Sequence, residues 1–459
     1  MIMSSIGFLY FFLPVFTAVY LPLPKKHKAK ILILFELVFL GWGSPLALIP
    51  LFVSMLIAYL LGMLIDNLRF KKSAQRVVLA IALLSELSMI GAAVLSAMGK
   101  AGSSTLSKAF PPVGVFVYTL SAMSYCLDIY KGECRCDHRF SLVAAFVGFF
   151  PVLTAGPLMR YKDVSIQFEA PVMSTDKMNR GISLYLKGLA EKCIISFSMY
   201  DMWRQLMRLD IESVSAITAW LGLICAGMYV YFEFASLTHM ARGVSLMLGI
   251  ELPENFDYPY KTVSVTEFVK KFNVSVTAWF TDYIYTPISR LGGKVYLIPA
   301  VIITGAAMSL WYGADLSKLM FGIYIGLLCL LDIFVFGRVV KKLPYAVAMV
   351  INMMLILLGM VFFVSGDRDY AVSFVLAVFG KNGTLIDNLT LYFFENYAVI
   401  ILIAIIITTG LADLIYTKLA NAKRSFIPFL RPLWQLMLLV LSTAFLSGTV
   451  QSSPAFFAL

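Results

Sequence analysis

Residues 3–22 read MSSIGFLYFFLPVFTAVYLP, and a basic run, KKHKAK, follows at 25–30. About 20 mostly apolar residues suffice for a helix to cross the hydrocarbon core of a bilayer. No basic residue precedes the run, which is the reverse of the charge order in a secretory signal peptide. We therefore predict an uncleaved first membrane helix, with its N-terminus outside and Lys25, Lys26 and Lys28 in the cytosol.

The composition of the whole chain indicates a membrane protein. The 459 residues are 60% hydrophobic and 14% charged, and the mean hydropathy is +0.85. A soluble domain is about half apolar and about a quarter charged, so much of this chain must have lipid as its solvent. We predict one membrane-embedded, all-α domain over residues 1–459, multi-pass in the cell membrane, with the lipid bilayer as its partner.

The charge and the cysteines exclude two other classes of function. The net charge of +11 comes from basic residues in short loops between apolar runs, which is a cytoplasmic bias and does not indicate nucleic-acid binding. Most of the six cysteines lie inside apolar runs, as small core residues do. The run CRCDH, with Cys134, Cys136 and His138, lacks an evident fourth ligand, so we predict no metal site.

The apolar runs predict about 11–13 membrane helices, including re-entrant and interfacial ones. Residues 31–65 are interrupted by GWGSP at 41–45 and are expected to form a tight or re-entrant hairpin. Broken backbone at membrane depth is tolerated only inside protein or along a cavity, which favours a bundle around a polar interior. We find no internal repeat in the sequence, so it does not support an inverted-repeat transporter. The other predicted spans are 77–98, 111–130, 141–158, 181–200, 214–234, 295–312, 319–337, 343–365, 396–416 and 430–449, with an interfacial helix and a loop in 366–395.

Two polar stretches interrupt the apolar pattern in the first half of the chain, and polar groups at membrane depth mark function by default. In FPVLTAGPLMRYKD (150–163), Arg160 follows a Gly-Pro break, either as part of a basic lip or as a snorkelling cation. In YFEFASLTHMARG (231–243), Glu233, His239 and Arg242 share one helix face. That face either lines a cavity or forms an ion-pair cluster of Glu233 with Arg242 or His239.

Two further stretches lie in the second half. Residues 266–293 are amphipathic, with Lys270 near their start and Trp279 and Asp282 further on, and alone they predict a helix at the bilayer interface. Residues 307–316, AMSLWYGADL, place Trp311 and Tyr312 at the end of an apolar run. Aromatic residues at that position are typical of a membrane-interface belt.

In this order, the stretches resemble the membrane-bound O-acyltransferase family, and the likeness covers most of the chain. The nearest resemblance is to the bacterial branch that acetylates alginate or D-alanylates teichoic acid. The segment LPENFDYPY is the most specific, because it is nearly the family's consensus. The segments that carry the resemblance are YTLSAMSYCLDIYKG (118–132), FFPVLTAGPLMRYKD (149–163), LPENFDYPY (252–260), WFTDYIYTPI (279–288) and FFVSGDRDYAVSFVLAVFG (362–380).

The resemblance implies a helical bundle around a central tunnel, in which an acyl donor and an acceptor hydroxyl meet at two histidines. KKFNVSV places Asn273 at one of these positions, and SLWYG places Tyr312 at the other, 39 residues further on. Thr281 replaces the usual arginine beside Asp282. Asparagine cannot accept a proton, but some branches of the family carry asparagine at this position and remain active, so Asn273 alone is no obstacle. Tyr312 is the harder case, because a phenol with a pKa near 10 is a poor base at neutral pH.

Two functions remain open. One is a catalytically silent relative that binds an acyl group or lipid as a scaffold, with a glycan-modifying protein or an acyl-carrier protein as a candidate partner. The other is an active O-acyltransferase, acting on a hydroxyl of an extracellular glycan or cell-envelope polymer. In this enzyme His239 would be a relocated base that Glu233 orients. Asn273 and Tyr312 would donate hydrogen bonds. Arg160 and Lys270 would be cations at the site of the acyl donor. No bound cofactor is expected; the acyl donor would be acyl-CoA or a carrier thioester. The other predicted tunnel residues are Arg242, Trp279, Asp282 and Trp311.

Overall fold

A computed structural model describes residues 1–97, 108–313, 315–337, 340–420 and 427–448 of the chain. These residues are helical, without a β-strand among them, and one isolated antiparallel bridge pairs Phe256 with Phe272. Seven of their helices are long and apolar enough to cross a membrane, and three apolar helices are shorter. The predicted all-α, polytopic membrane fold is therefore confirmed. The side of the membrane on which the N-terminus lies stays a prediction.

The described residues fall into two compact units. The first contains 1–97, 108–188 and 237–254, and the second contains 189–236 and the described residues from 255 onward. The helices that begin in the first unit are α1 (Phe8–Tyr20), α2 (Lys25–Gly41), α3 (Leu48–Asn67), α4 (Lys72–Ala97), α5 (Pro112–Lys131), α6 (Phe140–Val147), α7 (Tyr161–Glu169) and α8 (Thr175–Ala190).

The helices that begin in the second unit follow in chain order. Three π-helical segments, Glu191–Ser196, Thr281–Tyr285 and Asp332–Phe336, lie among them, and the first two are near the polar residues predicted above. The helices are α9 (Phe197–Leu206), α10 (Ala216–Met247), α11 (Val265–Lys271), α12 (Val274–Phe280), α13 (Thr286–Ser289), α14 (Leu297–Trp311), α15 (Leu316–Leu331), α16 (Tyr345–Ser365), α17 (Arg368–Val378), α18 (Asn388–Thr408), α19 (Leu411–Ala420) and α20 (Ile427–Gly448).

The opening helix packs through one aromatic stripe. Phe8, Phe12, Phe16 and Tyr20 are buried, and their spacing of four residues places them on one face of α1. The ring of Phe150 meets Phe12 edge-on at 5.4 Å and Phe16 at 5.2 Å. The helix Phe8–Tyr20 is shorter than the predicted span of 3–22, and its first five residues, Phe8–Phe12, are π-helical.

Several predicted spans differ from the observed helices. Residues 31–65 divide into α2 and α3 around the predicted break. Residues 181–200 do not qualify as an apolar span, because Lys187, Glu191 and Lys192 make this stretch too polar. The predicted span 214–234 extends to Met247 as one 32-residue helix, since its polar face does not interrupt the backbone. A helix, α17, lies in 366–395, and its predicted position at the membrane interface stays a prediction.

A contact between two glycines brings α8 against the C-terminal part of α10 in the first unit. A Cβ added at Gly181 would lie 2.7 Å from the carbonyl oxygen of Gly243. Small residues at helix interfaces allow such close backbone approach in membranes.

We expect Gly181→Ala to destabilise the protein by about 1–3 kcal/mol, the range for overpacking a tight interface. The matched control is Gly91→Ala, because a Cβ at Gly91 in α4 meets no atom within 4 Å. Thermal unfolding in detergent should show a lower midpoint for Gly181→Ala alone. Equal midpoints for both variants would contradict this packing.

Candidate functional site

Asn273 lies at a sharp break between two helices. It joins α11 to α12 in the left-handed conformation, with φ of 55°, which asparagine adopts more readily than most residues. The segment 255–257 runs against this break: Val274 donates its backbone N–H to the carbonyl of Asn255 at 2.9 Å, and Phe256 pairs with Phe272. The LPENFDYPY segment therefore holds Asn255 beside Asn273.

A chain of hydrogen bonds runs from the backbone through two amides to a phenol. The backbone N–H of Ser275 donates to Oδ1 of Asn255 at 2.7 Å. Nδ2 of Asn255 donates to Oδ1 of Asn273 at 2.6 Å, and Nδ2 of Asn273 donates to Oη of Tyr312 at 3.1 Å. A backbone N–H can only donate, so it fixes the orientation of both amides. Asn273 therefore presents an N–H group, not a carbonyl, to position 312.

The ring of Tyr312 packs against two other aromatic rings. Its ring lies 5.0 Å from Phe234 and 5.3 Å from Phe363, and the residue is 6% exposed. Its oxygen accepts the hydrogen bond from Asn273, and the described residues offer no acceptor for its own proton. Buried donors are almost always hydrogen-bonded. We therefore expect the hydroxyl proton of Tyr312 to be donated to an acceptor on a group that enters the adjoining cavity.

That cavity lies wholly within the second unit and has a volume of about 510 Å³. Tyr312, Ser309 and Thr277 contribute polar groups to it, and Lys270 lines it as an exposed cation. The remaining wall is mostly apolar and includes Val269, Val301, Met308, Ile325, Met360 and Phe363. A large apolar pocket with a few convergent polar groups is the usual form of a small-molecule site.

A buried ion pair lies in the same unit. Nζ of Lys192, in the π-helical segment, contacts Oε1 of Glu233, and Oγ of Ser196 donates to Oε2 of Glu233 at 2.8 Å. Lys192 is 4% exposed, and Glu233 and Ser196 are 0% exposed. These contacts engage both oxygens of Glu233, in place of the predicted pairing with Arg242 or His239. The spacing of three residues placed the polar groups on one face but did not determine their partners.

The other predicted site residues are distributed over both units. His239, which is half-buried, and Arg242 belong to the first unit, where Arg242 contacts Glu254 at 3.1 Å. Arg160 contacts Asp163 at 2.7 Å in the same unit. In the second unit, Trp279 is buried against Tyr283 at 4.9 Å, Trp311 is buried, and Asp282 is half-buried. The structure thus brings together Asn273 and Tyr312, with Lys270 on the adjoining cavity.

Three residues of these clusters were not predicted. Asn255 belongs to the quoted LPENFDYPY segment, and its amide side chain inside a specific motif was the available signal. Lys192 and Ser196 lie inside a predicted apolar span, where a lysine is costly and therefore informative. Among the described residues, no three His, Cys, Asp or Glu side chains lie together as potential metal ligands.

The fold and the site define a multi-pass helical membrane protein with a buried amide–phenol pair beside an apolar cavity. Residues 137–365, which include Asn255, Asn273 and Tyr312, match the model of MBOAT, the membrane-bound O-acyltransferase family. The chain belongs to the membrane-bound O-acyltransferase family.

Curated relatives are enzymes of the bacterial cell envelope. The chain is 26% identical over 391 residues to the probable alginate O-acetylase AlgI of Pseudomonas aeruginosa, covering 83% of this chain and 75% of that protein. It is 24% identical over 323 residues to the peptidoglycan O-acetyltransferase of Helicobacter pylori, covering 61% and 59%. It is 25% identical over 225 residues to the teichoic acid D-alanyltransferase of Bacillus subtilis, covering 46% and 56%. The chain is thus related to O-acetyltransferases of extracellular polymers.

Proposed function

We propose that this protein is a catalytically silent member of its family, which binds an acyl group beside Tyr312 and serves as a scaffold. The observation that supports the proposal is the direction of the hydrogen bonds from Ser275 to Tyr312, in which each residue donates to the next one. The N–H of Asn273 is directed at Tyr312, and the hydroxyl of Tyr312 lines the cavity; the resemblance implies histidines at both positions. In a glycan-modifying complex, an acyl-carrier protein or an active transferase would be its partner.

The chemistry of O-acyl transfer explains why this polarity matters. A hydroxyl attacks the acyl carbonyl only as its proton leaves, and a positioned general base contributes ~10²–10⁴-fold to the rate. Asn273 has no proton-accepting group, and the phenol of Tyr312 is a donor at neutral pH. Donors can still bind a carbonyl oxygen, so the site supports acyl binding without the proton-transfer step.

The alternative is an active O-acyltransferase with His239 as base. In this alternative Glu233 would orient His239, but the carboxylate of Glu233 contacts Lys192 and Ser196 instead. In that enzyme, acyl-CoA or a carrier thioester would supply the acyl group, and a hydroxyl of an envelope polymer would accept it.

Acyl transfer in proteoliposomes distinguishes the two functions. Wild type and His239→Ala receive a labelled acetyl thioester and a polysaccharide acceptor, with the Pseudomonas aeruginosa relative as a positive control. We expect both proteins to remain at the uncatalysed rate while the relative transfers label. Transfer by wild type that His239→Ala abolishes would establish the alternative, and transfer by both proteins would refute the silent scaffold as well as the His239 base.

A further inference from the structure

We propose that the exposed side of α2 binds a phospholipid with an anionic headgroup. The phosphate lies on Lys26 and Lys30, and one acyl chain runs along Leu34 and Val38. The site belongs to the first unit and shares no residue with the cavity beside Tyr312, so it does not depend on the proposed function.

The exposed side chains of α2 form one row. After the first turn, the exposed residues of the helix are Lys30, Leu34 and Val38, and Trp42 follows the helix in helical conformation. A spacing of four residues is that of a ridge on a helix surface. Leu34 is 52% exposed, Val38 41% and Trp42 64%. An apolar strip therefore continues from the lysine end of α2.

The length of this row matches one lipid chain. Twelve residues separate Lys30 from Trp42, and at about 1.5 Å each they extend roughly 18 Å. The hydrocarbon core of a bilayer is about 30 Å thick, so one chain of a lipid reaches about 15 Å into it. A lipid whose headgroup lies on Lys30 can therefore follow Leu34 and Val38 over the length of its chain.

The cationic end of the row has no acidic partner. Lys26 and Lys30 are both exposed, and among the residues that the structure describes neither forms an ion pair or a hydrogen bond. Like charges four residues apart on a helix repel each other. Lys28 differs, because it is buried, with its Nζ 3.4 Å from the carbonyl oxygen of Tyr20. Lys26 and Lys30 are therefore available to an anion that binds between them.

A phospholipid satisfies both ends of the row, whereas other anions satisfy only one. Free phosphate would neutralise the two lysines and leave Leu34 and Val38 without an apolar partner. An acidic protein would meet the lysines from the aqueous side, whereas the apolar strip lies on a helix of a membrane-embedded chain. Lysines beside an anionic membrane surface attract it, with an effect on affinity of about fivefold each.

The test titrates the full chain in neutral detergent with phosphatidylglycerol or phosphatidylcholine, and follows the thermal midpoint, which rises as a ligand binds the folded state. Wild type should bind phosphatidylglycerol more tightly. Lys26→Gln combined with Lys30→Gln should weaken phosphatidylglycerol about thirtyfold and leave phosphatidylcholine unchanged. Leu34→Ser combined with Val38→Ser should weaken both lipids, because the apolar strip does not distinguish headgroups.

Two double variants control for charge and for folding. Lys177→Gln with Arg180→Gln removes the same charge from the same unit, but these cations already lie 3.9 and 3.5 Å from Glu251, so lipid affinity should stay unchanged. Lys26→Arg with Lys30→Arg keeps both charges and should keep the preference for phosphatidylglycerol. Raising the salt from 0.1 to 1 M shortens the screening length from about 10 to about 3 Å and should weaken phosphatidylglycerol alone.

Four results would overturn the lipid site. These are equal affinities for the two lipids, a phosphatidylglycerol preference that survives the glutamine variant at 26 and 30, an equal loss in the Lys177 and Arg180 control, and competition by glycerol phosphate as strong as that by the whole lipid. Binding of an acidic carrier protein to wild type in phosphatidylcholine nanodiscs, lost in the glutamine variant, would assign the surface to a protein instead.

Discussion

Changing Asn273 to Asp and Tyr312 to His together should raise acyl transfer above the wild-type rate by ~10²–10⁴-fold, the usual contribution of a general base. A carboxylate at 273 can still accept from Nδ2 of Asn255, and its other oxygen can accept from a ring N–H at 312. The opposite ring nitrogen is then unprotonated and faces the cavity. This is the arrangement in which a carboxylate orients histidine as a base.

The single variant Tyr312→His should gain less than the double variant. With Asn273 unchanged, its Nδ2 donates toward position 312, so the nearer ring nitrogen must be the acceptor. In neutral imidazole the other nitrogen then carries the proton and is the wrong tautomer for a base. Aspartate also tolerates the left-handed backbone at 273, so the double variant should fold.

The measurement is transfer of a labelled acyl thioester by wild type, each single variant and the double variant in proteoliposomes, across pH. The double variant should gain rate as the pH rises and the imidazole at position 312 loses its proton. Equal rates for Tyr312→His and the double variant would show that the amide chain does not set the tautomer. A double variant at the uncatalysed rate, despite acyl binding, would mean that more than a base is missing.

Removing one partner of the buried ion pair should produce the largest loss of stability. Lys192→Met leaves the carboxylate of Glu233, which is 0% exposed, without its cation. Breaking a buried pair in this way costs about 3–5 kcal/mol. Reversible unfolding in mixed detergent micelles should therefore show a strongly reduced free energy of unfolding for this variant.

Two further variants test whether the loss of stability arises because the ion pair is buried. Lys192→Met combined with Glu233→Leu removes both charges and should recover most of the loss, because apolar replacement of a whole buried pair is often neutral. Lys271→Met breaks a partly exposed contact with Glu267 at 3.4 Å and should cost at most about 1 kcal/mol. Similar losses for Lys192→Met and Lys271→Met would argue against a desolvated pair.

The sequence by itself determined that this is an all-α membrane protein of the O-acyltransferase family, and it singled out Asn273 and Tyr312. These conclusions depend on local quantities: the length of apolar runs, the position of charges and short specific motifs. Asn273 is hydrogen-bonded to Tyr312 in the structure, so these two side chains lie at one site. The predicted functional roles of Arg160, His239 and the other site residues stay predictions.

Only the tertiary structure decided which groups meet, and in which orientation. Glu233 shares a helix face with His239 and Arg242, yet its partners are Lys192 and Ser196, 41 and 37 residues away in sequence. The polarity of the amide chain follows from one backbone N–H, that of Ser275, and periodicity carries no information about it. A helical pattern reports which face is polar, whereas partners depend on how distant segments pack, because hydrogen bonds and ion pairs act only over a few ångströms.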